Sequence, residues 1–428
     1  MSKKTKAFVL CIGIFVLLAA SALGILFFTR KDEPVAKGNV LGVAWYDEDG
    51  KEFTISTAEE LREFAELSKH YNFKGQTIKL GADIVDNEGT ATDWEYEVPE
   101  HLWIPIVNFA GTFDGQGHTI SGICGYGFVY GSLVGTTGVY LTAGLFNNTQ
   151  TGCVIKDFRL VNSFFLSDFN EGVGSITNRG GGTFESIYSN ATILSYKQNA
   201  GGLIGILDSR GTNTVTNCWF DGEIRIEGNT ACYIGGIVAQ VKDTGGNNKI
   251  EHCLNTASIT SPVTGRGIQM GGLVGLVQKS ARLNMKDCLN VGTVTNEYGV
   301  CVGSVLGNML SSSAVNMTDV YTTVESYSKL IGNRSGTANG LPIEVNEKRL
   351  TGQSAYQWTN LDFENYWSAV EDDTPVLKYF TDTELELNGV EKCFDTSWYS
   401  NLQSVFEIKT IEELYGFAYL SRTTDFSG

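Results

Sequence analysis

The chain has 428 residues, and its 48 acidic and 31 basic side chains give a formal charge of −17. An apolar content of 42 % is enough to build a core and excludes a disordered chain. The acidic balance argues against a nucleic-acid binder, because neutralising phosphates needs clustered Lys and Arg.

The first segment of the chain has the pattern of a membrane anchor. Three lysines within the first six residues precede an unbroken apolar run that extends from Ala7 to Phe28. As a helix rising ~1.5 Å per residue, this run spans ~33 Å, which is enough to cross a bilayer core. We predict an uncleaved transmembrane signal anchor over residues 1–31 and a linker over 32–39, with the rest of the chain extracytoplasmic. A signal peptide cleaved near Ala20-Ser21-Ala22 is the alternative, and it also exports the rest.

A long repeat relates the start of the exported part to the last residues of the chain. At an offset of 353, the 31 positions of 45–75 contain 14 identities to 398–428 without a gap. Each copy contains a Thr-x-x-Glu capping box followed by an apolar helical face. We predict that Thr57–Lys69 forms a short amphipathic helix that covers an open end of the fold. Residues 40–75 are then a strand and this capping helix, and 386–428 begin a second, truncated copy of the module.

A shorter repeat fills the interior of the module, where helical periodicity is almost absent. Glycine-rich motifs recur at steps of 34, 36 and 32 residues, and short apolar patches follow each of them. The motifs are Gly201-Gly202-Leu203-Ile204-Gly205, Gly235-Gly236-Ile237-Val238-Ala239, Gly271-Gly272-Leu273-Val274-Gly275 and Gly303-Ser304-Val305-Leu306-Gly307. This length and pattern predict the coils of a parallel β-solenoid, stacked at ~4.8 Å so that like residues form ladders. The glycines would let the backbone turn tightly at positions where a side chain does not fit.

These motifs carry a resemblance to a known family. Gly202-Leu203-Ile204-Gly205 and Gly272-Leu273-Val274-Gly275 resemble the GLUG motif of bacterial surface proteins. Residues 103–120 resemble the first coil of such proteins, and residues 361–378 resemble the piece that closes them. The resemblance implies a right-handed parallel β-helix on an exported, repetitive protein for which adhesion or surface display is suspected.

The resemblance and the repeats together give an all-β fold with a defined division of the chain. We predict a right-handed parallel β-helix with an N-terminal capping helix, preceded by one transmembrane helix. The β-helix coils occupy 76–340, and a C-terminal closing segment occupies 341–385. Some immunoglobulin-A-cleaving metalloproteases carry similar repeats, but the chain's four histidines form no HExxH zinc motif, so we do not carry over that activity.

The cysteines of the coils share one register of the repeat. Cys218, Cys253 and Cys288 are expected to stack inside the solenoid as buried thiols, because parallel stacked side chains are poorly oriented for disulfides. A structural disulfide between other cysteines remains an alternative in an exported chain. No pair has the CxxC spacing of a metal site.

The residue before each of these cysteines is polar, and the ladder continues to Asp319. Asp287 and Asp319 would lie on adjacent coils, where two carboxylates could hold Ca²⁺ or perform acid–base work on a sugar. A solvated, outward-facing ladder is the favoured interpretation. The two aspartates are therefore weak binding candidates, and no catalytic residue, metal site or cofactor is predicted.

The function that fits these features is a membrane-tethered module at the cell surface. We expect it to act in adhesion, binding or spacing without catalysis, with a glycan or a surface protein as its partner. A polysaccharide lyase or glycoside hydrolase built on the same β-helix is the alternative, and it would require acidic and basic groups that converge in a cleft.

Overall fold

The computed structural model describes residues 41–127, 143–168, 172–196, 199–228, 232–262, 267–296, 301–323, 329–382, 385–400 and 405–421. Within these ranges, short parallel strands stack into a β-solenoid of about seven turns, which confirms the predicted all-β architecture. No helix in these ranges is long and apolar enough to cross a membrane. The predicted anchor, 1–31, and linker, 32–39, lie outside the described residues.

The turns build four parallel sheets, which we number in the order in which one turn visits them. In the described ranges the first sheet comprises Glu52–Ile55, Thr77–Leu80, Ile84–Val85, Thr112–Asp114, Thr119–Ser121, Val154–Val161, Thr183–Ser189, Thr214–Thr216, Trp219–Phe220, Asn247–Glu251, Leu254–Asn255, Arg282–Asn290, Ala314–Thr323, Thr337–Asn339 and Ile343–Val345. The second sheet comprises Cys124–Gly127, Phe164–Ser167, Thr192–Ser195, Glu223–Ile226, Ser258–Thr260 and Thr293–Thr295. The third sheet comprises Val173–Gly174, Ala200–Gly201, Cys232–Gly235, Ile268–Gly271 and Cys301–Gly303. The fourth sheet comprises Phe146–Asn148, Thr177–Gly180, Ile204–Leu207, Val238–Val241, Val274–Val277, Leu306–Met309 and Ile331–Arg334.

The strand register reproduces the spacing of the glycine motifs. Gly201 pairs with Gly235, which pairs with Gly271, and Gly271 pairs with Gly303 in the third sheet. The apolar residue three positions after each glycine forms a second ladder, in the fourth sheet, and its members are fully buried. The repeat predicted from the sequence is therefore the repeat of the coils.

The glycines of the motif let the third and fourth sheets approach through their backbones. A Cβ on Gly275, in the fourth sheet, would lie 2.6 Å from the backbone nitrogen of Ile234 in the third sheet. In the turn between the sheets, a Cβ on Gly272 would lie 2.1 Å from the carbonyl oxygen of Ser304. Neither glycine has a left-handed φ, so the fold requires them for space rather than for conformational freedom.

The first sheet turns a corner inside each coil at one residue with a left-handed backbone. The φ angles of these residues lie between 51° and 60° in six successive coils. They are Asp157, Ser186, Asn217, His252, Asp287 and Asp319. The residue after each corner points into the core, as Cys218, Cys253 and Cys288 do at 0 % exposure. We call this set of six residues the corner ladder.

The capping helix, α1, spans Ala58–Leu67 and begins at the predicted capping box. The Thr57 side chain accepts a hydrogen bond from the Glu60 backbone, and the Glu60 carboxylate accepts one from the Thr57 backbone. Its apolar face lies on the first coils, where the Phe64 ring stacks on Phe113 with centroids 6.1 Å apart. Because each fully buried side chain of this size contributes about 1.5–3 kcal/mol, the face holds the helix in place. The predicted cap is confirmed.

The segment predicted to close the coils packs along their side. It contains a 3₁₀ turn at Glu347–Arg349, helix α2 at Gln353–Trp358, an antiparallel hairpin of Trp367–Val370 and Asp373–Leu377, and a 3₁₀ turn at Lys378–Phe380. These elements form a second apolar core with the outer face of the first sheet beyond the corner. The sheet residues in this core are Tyr188, Trp219, Leu254, Leu289 and Tyr321, which stand one above another in register.

The second copy of the cap forms the same local structure. Helix α3, Ile411–Leu420, begins at Thr410 with the predicted capping box to Glu413. Its apolar residues are much less covered than those of α1, since Leu414 is 49 % exposed and the matching Leu61 is 0 % exposed.

The cysteines in the described part of the chain are all free thiols. The predicted Cys218, Cys253 and Cys288 ladder is buried as expected, and burial raises the pKa of Cys253 well above its ordinary value. Burial also raises the pKa values of Cys124 and Cys232 to about 12. The disulfide that the sequence left open is therefore not formed among these eight cysteines.

Substitution of Gly272 by Ala should destabilise the solenoid by about 1–3 kcal/mol, because the added Cβ overpacks a backbone contact. The matched control is Gly245→Asn, since Gly245 has a φ of 72° with no atom near its Cβ direction, and Asn tolerates that backbone conformation. The midpoints of chemical denaturation of both variants measure the effect. Equal midpoints would contradict the close-approach account.

Alkylation of the native chain with iodoacetamide at pH 8, followed by peptide mass spectrometry, should leave Cys218, Cys253 and Cys288 unmodified. All three thiols are buried out of reach of the reagent, and burial also raises the pKa of Cys253, so that this thiol stays protonated at pH 8. The half-buried Cys393 is the internal positive control. Modification of Cys253 as fast as Cys393 before denaturation would overturn the assignment.

Candidate functional site

The two acidic candidates lie on adjacent coils of the corner ladder. The flanking pairs, Lys286 with Thr318 and Cys288 with Val320, place Asp287 beside Asp319 as predicted. Asp287 is only 2 % exposed, and Asp319 is half-buried. The interpretation of this position as a solvated outward ladder is therefore wrong for Asp287, because the closing segment covers the corner.

Asp287 accepts two hydrogen bonds from the closing segment and also contacts His252 of the neighbouring coil. Its carboxylate lies 2.6 Å from Nδ1 of His252, and it accepts hydrogen bonds from Nε1 of Trp367 at 2.8 Å and from the backbone of Asp362 at 3.0 Å. The ring of Tyr366 stacks on the His252 ring with centroids 3.6 Å apart. Hydrogen bonds to a buried charge are the strong ones, so Asp287 fixes where the hairpin docks.

Asp319 joins the second copy of the cap to the same corner. Its carboxylate accepts a hydrogen bond from the Tyr419 hydroxyl of α3 and a longer one, 3.4 Å, from Tyr321. Burial raises the pKa of Asp319, and the nearby charge of Asp287 raises it further. Lys392 lies close enough to Asp319 to interact with it electrostatically, and burial lowers the pKa of Lys392 to about 8.

The two aspartates are thus engaged in holding protein segments together. A Ca²⁺ site would need several oxygen ligands that converge on one point. In the part of the chain that the structure describes, no group of three or more His, Cys, Asp or Glu side chains is arranged to hold a metal ion. The polar side chains of this corner therefore serve to bind the closing segment.

An open surface that the sequence did not reveal lies on the other side of the corner. The strands of the first sheet that precede the corner present outward-facing side chains in rows along the axis, with one side chain per coil in each row at a spacing of ~4.8 Å. We call one of these rows the outer ladder, and in register it comprises Thr77, Thr112, Val154, Thr183, Thr214, Lys249, Asn284, Asn316 and Asn339. These side chains are half-buried or exposed. At the C-terminal end, the amide of Asn316 donates to Asn284 at 2.6 Å, and that of Asn339 donates to Asn316 at 2.7 Å.

A second row, in which only Asp114 is buried, runs beside the outer ladder, two residues closer to the corner. Its members are Lys79, Asp114, Lys156, Glu185, Thr216, Glu251, Lys286 and Thr318. Charges of opposite sign occur on neighbouring coils, as in the pair of Lys156 with Asp114 at 3.3 Å. The two rows together form a rigid, hydrophilic strip along the axis. The sequence pattern that indicates this strip is the alternation of polar and apolar residues, as in Thr214-Val215-Thr216. The alternation is too short in each strand to be recognised unless the register between strands is known.

The stacked parallel sheets, the glycine ladder and the helical cap define the chain as a parallel β-solenoid repeat protein. Comparison with family models gives no match, and comparison with curated proteins gives none either. Among solved structures, the chain is similar to the crystal structure of a putative immunoglobulin A1 protease from Bacteroides ovatus, with a TM-score of 0.51 and 18 % sequence identity. The match covers 82 % of this chain and 100 % of that chain. At this identity the similarity shows a shared fold alone.

Replacement of Asp319 by Asn should stabilise the chain relative to the wild type increasingly as the pH rises from 4 to 7. Since the folded-state pKa of Asp319 is raised above its ordinary value of 3.8, its contribution to stability is lost as the pH rises through that raised pKa. Asn stays neutral and still accepts the Tyr419 hydrogen bond. The free energy of unfolding, measured by chemical denaturation across this range, tests the sign. The control is the exposed Asp372→Asn, and a difference for Asp319→Asn that does not change with pH would contradict the account.

Proposed function

We propose that the chain is a membrane-tethered module of the cell surface that binds a glycan or a surface protein without catalysis. The observation that carries this proposal is the outer ladder with its parallel charged row. Inward-facing side chains of the same strands form the core, whereas the residues of these outward rows are not part of the described core clusters. A rigid strip of hydroxyl, amide and charged groups is suited to contacting an extended polar partner.

A glycan is the partner that the outer ladder fits best. Thr and Asn side chains both donate and accept hydrogen bonds, as sugar hydroxyls do. Because such a group occupies seven of the nine positions of the outer ladder, the strip offers similar contacts to successive units of a linear polymer. Many weak contacts of this kind gain affinity by acting together.

The proposed location is supported by the apolar run from Ala7 to Phe28 and by its lysine-rich flank. A rod of stacked coils behind such a segment would place the binding strip away from the membrane. The repeated cap at 398–428 supports a modular, repetitive construction.

Catalysis is not part of the proposal. A lyase or hydrolase needs an acid and a base that converge on an open site, whereas Asp287 is sealed beneath the closing segment. The name of the structural neighbour refers to immunoglobulin A1 cleavage, but its identity to this chain is only 18 %. The histidines of this chain also lack the spacing of a zinc protease motif.

The proposal is tested by incubating the detergent-solubilised full chain with a panel of microbial and host polysaccharides. Retention on a glycan and release of new reducing or unsaturated ends are followed together. Retention without product is the expected result. Release of product would favour the lyase or hydrolase alternative, and retention on no member of the panel would contradict glycan binding.

Substitution of both Thr214 and Asn284 by Arg should reduce retention on the bound glycan at least tenfold, because it places bulky charges in the middle of the outer ladder. Both side chains face outward, so the midpoint of denaturation should change little. The charge-matched control is Ser258→Arg with Thr293→Arg, which adds the same groups to the outer side of the second sheet. Equal loss in both double variants would assign the effect to charge alone and contradict a site on the ladder.

A further inference from the structure

A depression of about 550 Å³ lies beside the capping helix, between the turn at 47–51 and the loop at 68–76. Its floor is formed by Tyr46, Ser68 and Phe73, whose exposures are 4 %, 3 % and 1 %. The Tyr46 hydroxyl donates to Gln76 at 3.2 Å, and the amide of Gln76 donates to the carbonyl of Gly50 at 2.9 Å. These bonds tie the turn to the loop, so the depression has a fixed floor.

The rim of the depression is positively charged, although the chain as a whole carries −17. Lys51, Lys69 and Lys74 lie on it, together with His70 and a single carboxylate, that of Glu48. With Glu66, which pairs with Lys69, the three lysines and two glutamates give a formal charge of +1. Lys69 is paired with Glu66 at 2.7 Å, whereas Lys51 and Lys74 are exposed and have no carboxylate within 4 Å among the described residues. Two cations are therefore available to a ligand.

The rim also carries an aromatic ring and amide groups. The ring of Tyr71 is half-buried, and its hydroxyl donates to Glu48 at 2.5 Å. Asn72, Asn108 and Gln150 are exposed and complete the lining. The Phe73 backbone has a φ of 58°, which is uncommon for a bulky residue. This conformation sends the Phe73 side chain into the core and leaves Asn72 and Lys74 on the rim.

The internal repeat separates the residues that build this loop from those that line its rim. At the offset of 353, the three floor residues recur as Tyr399, Ser421 and Phe426. The charge of Lys69 recurs as Arg422, but the other rim residues of the repeat do not: Glu48, Lys51, His70, Tyr71, Asn72 and Lys74 are matched by Asn401, Ser404, Thr423, Thr424, Asp425 and Ser427. The repeat therefore retains the floor residues and the charge of Lys69, but not the other rim residues.

We propose that this depression binds an acidic saccharide, with Lys51 and Lys74 contacting its carboxylate or sulfate and Tyr71 lying against a sugar ring. The inference deepens the proposed function, on which it rests, by adding a second site with a defined ligand class. The depression is concave, has convergent polar groups and is large enough for one or two sugar rings. A long polyanion such as a nucleic acid would be repelled by the net charge of the chain, whereas a short anionic sugar meets only the rim.

The test compares the full chain with the variant in which Lys51→Ser and Lys74→Ser introduce the residues of the second copy. The probes are a trimer of galacturonic acid, a heparin-derived tetrasaccharide and the neutral galactose trimer. Isothermal titration at two salt concentrations measures the affinities. The wild type should bind at least one acidic probe at least tenfold more tightly than the neutral trimer, and the variant should lose this preference.

The matched control variant is Lys279→Ser with Lys348→Ser, which removes two exposed lysines elsewhere and should bind like the wild type. The proposal would be overturned if both variants lost affinity equally or if the wild type preferred neither acidic probe. Binding of anionic lipid vesicles in place of the saccharides would overturn it too. Binding of the galacturonic acid trimer would show that carboxylates suffice, whereas binding of the heparin tetrasaccharide alone would show that sulfates are needed. The Thr214→Arg, Asn284→Arg variant should keep its affinity for the acidic probe, so that failure of the outer ladder and failure of this site are separable.

Discussion

Each turn of the solenoid must change direction inside its longest strand, and one left-handed residue per coil makes that change. Six residues in register have φ angles near 55°, which only Gly, Asn, Asp and a few other polar residues adopt at modest cost. The corner directs the next side chain into the core, where the buried cysteines lie. It also leaves a polar side chain on the outside of the bend. The whole arrangement of the outer segments depends on what that side chain binds.

The closing segment and the second cap both dock on this corner. Asp287 binds the hairpin through Trp367, and Asp319 binds α3 through Tyr419. Apolar packing on the ladder that contains Leu254 and Leu289 buries surface but does not fix the position of the segment that packs there. The two carboxylates do fix it, because they accept hydrogen bonds from defined donors. A buried charge that lost its donors would be costly, so the corner ladder selects one docking position out of the many that a uniform apolar ladder would allow.

Local patterns in the sequence predicted the coil repeat, the capping boxes and the cysteine ladder, because each depends on residues close together in the chain or at a constant step. The corner was visible as the polar residues before the cysteines, but it was interpreted as a solvated ladder. Asn217, His252 and Asp287 are residue types that tolerate a left-handed backbone, and that preference was the signal for the bend. The position of the closing segment could not be predicted, because it depends on contacts such as that of Arg159 with Phe380, 221 residues apart.

In a solenoid, the residues that stabilise the fold and the residues that are available to bind a partner occupy different positions of the repeat. Inward ladders, glycine contacts and the corner ladder are fixed by stacking, since a change in one coil is felt by both neighbours. Side chains on the open strip and on the rim beside the cap lie outside the stacked core, although some strip residues of neighbouring coils pair with each other, as Asn284 and Asn316 do. The two copies of the cap show the consequence, because they share Tyr46, Phe64 and Phe73 but differ at Lys51 and Lys74. Binding specificity in such a chain is therefore expected to lie at the positions that the fold leaves free, and these positions cluster on the outer ladder and at the capped end.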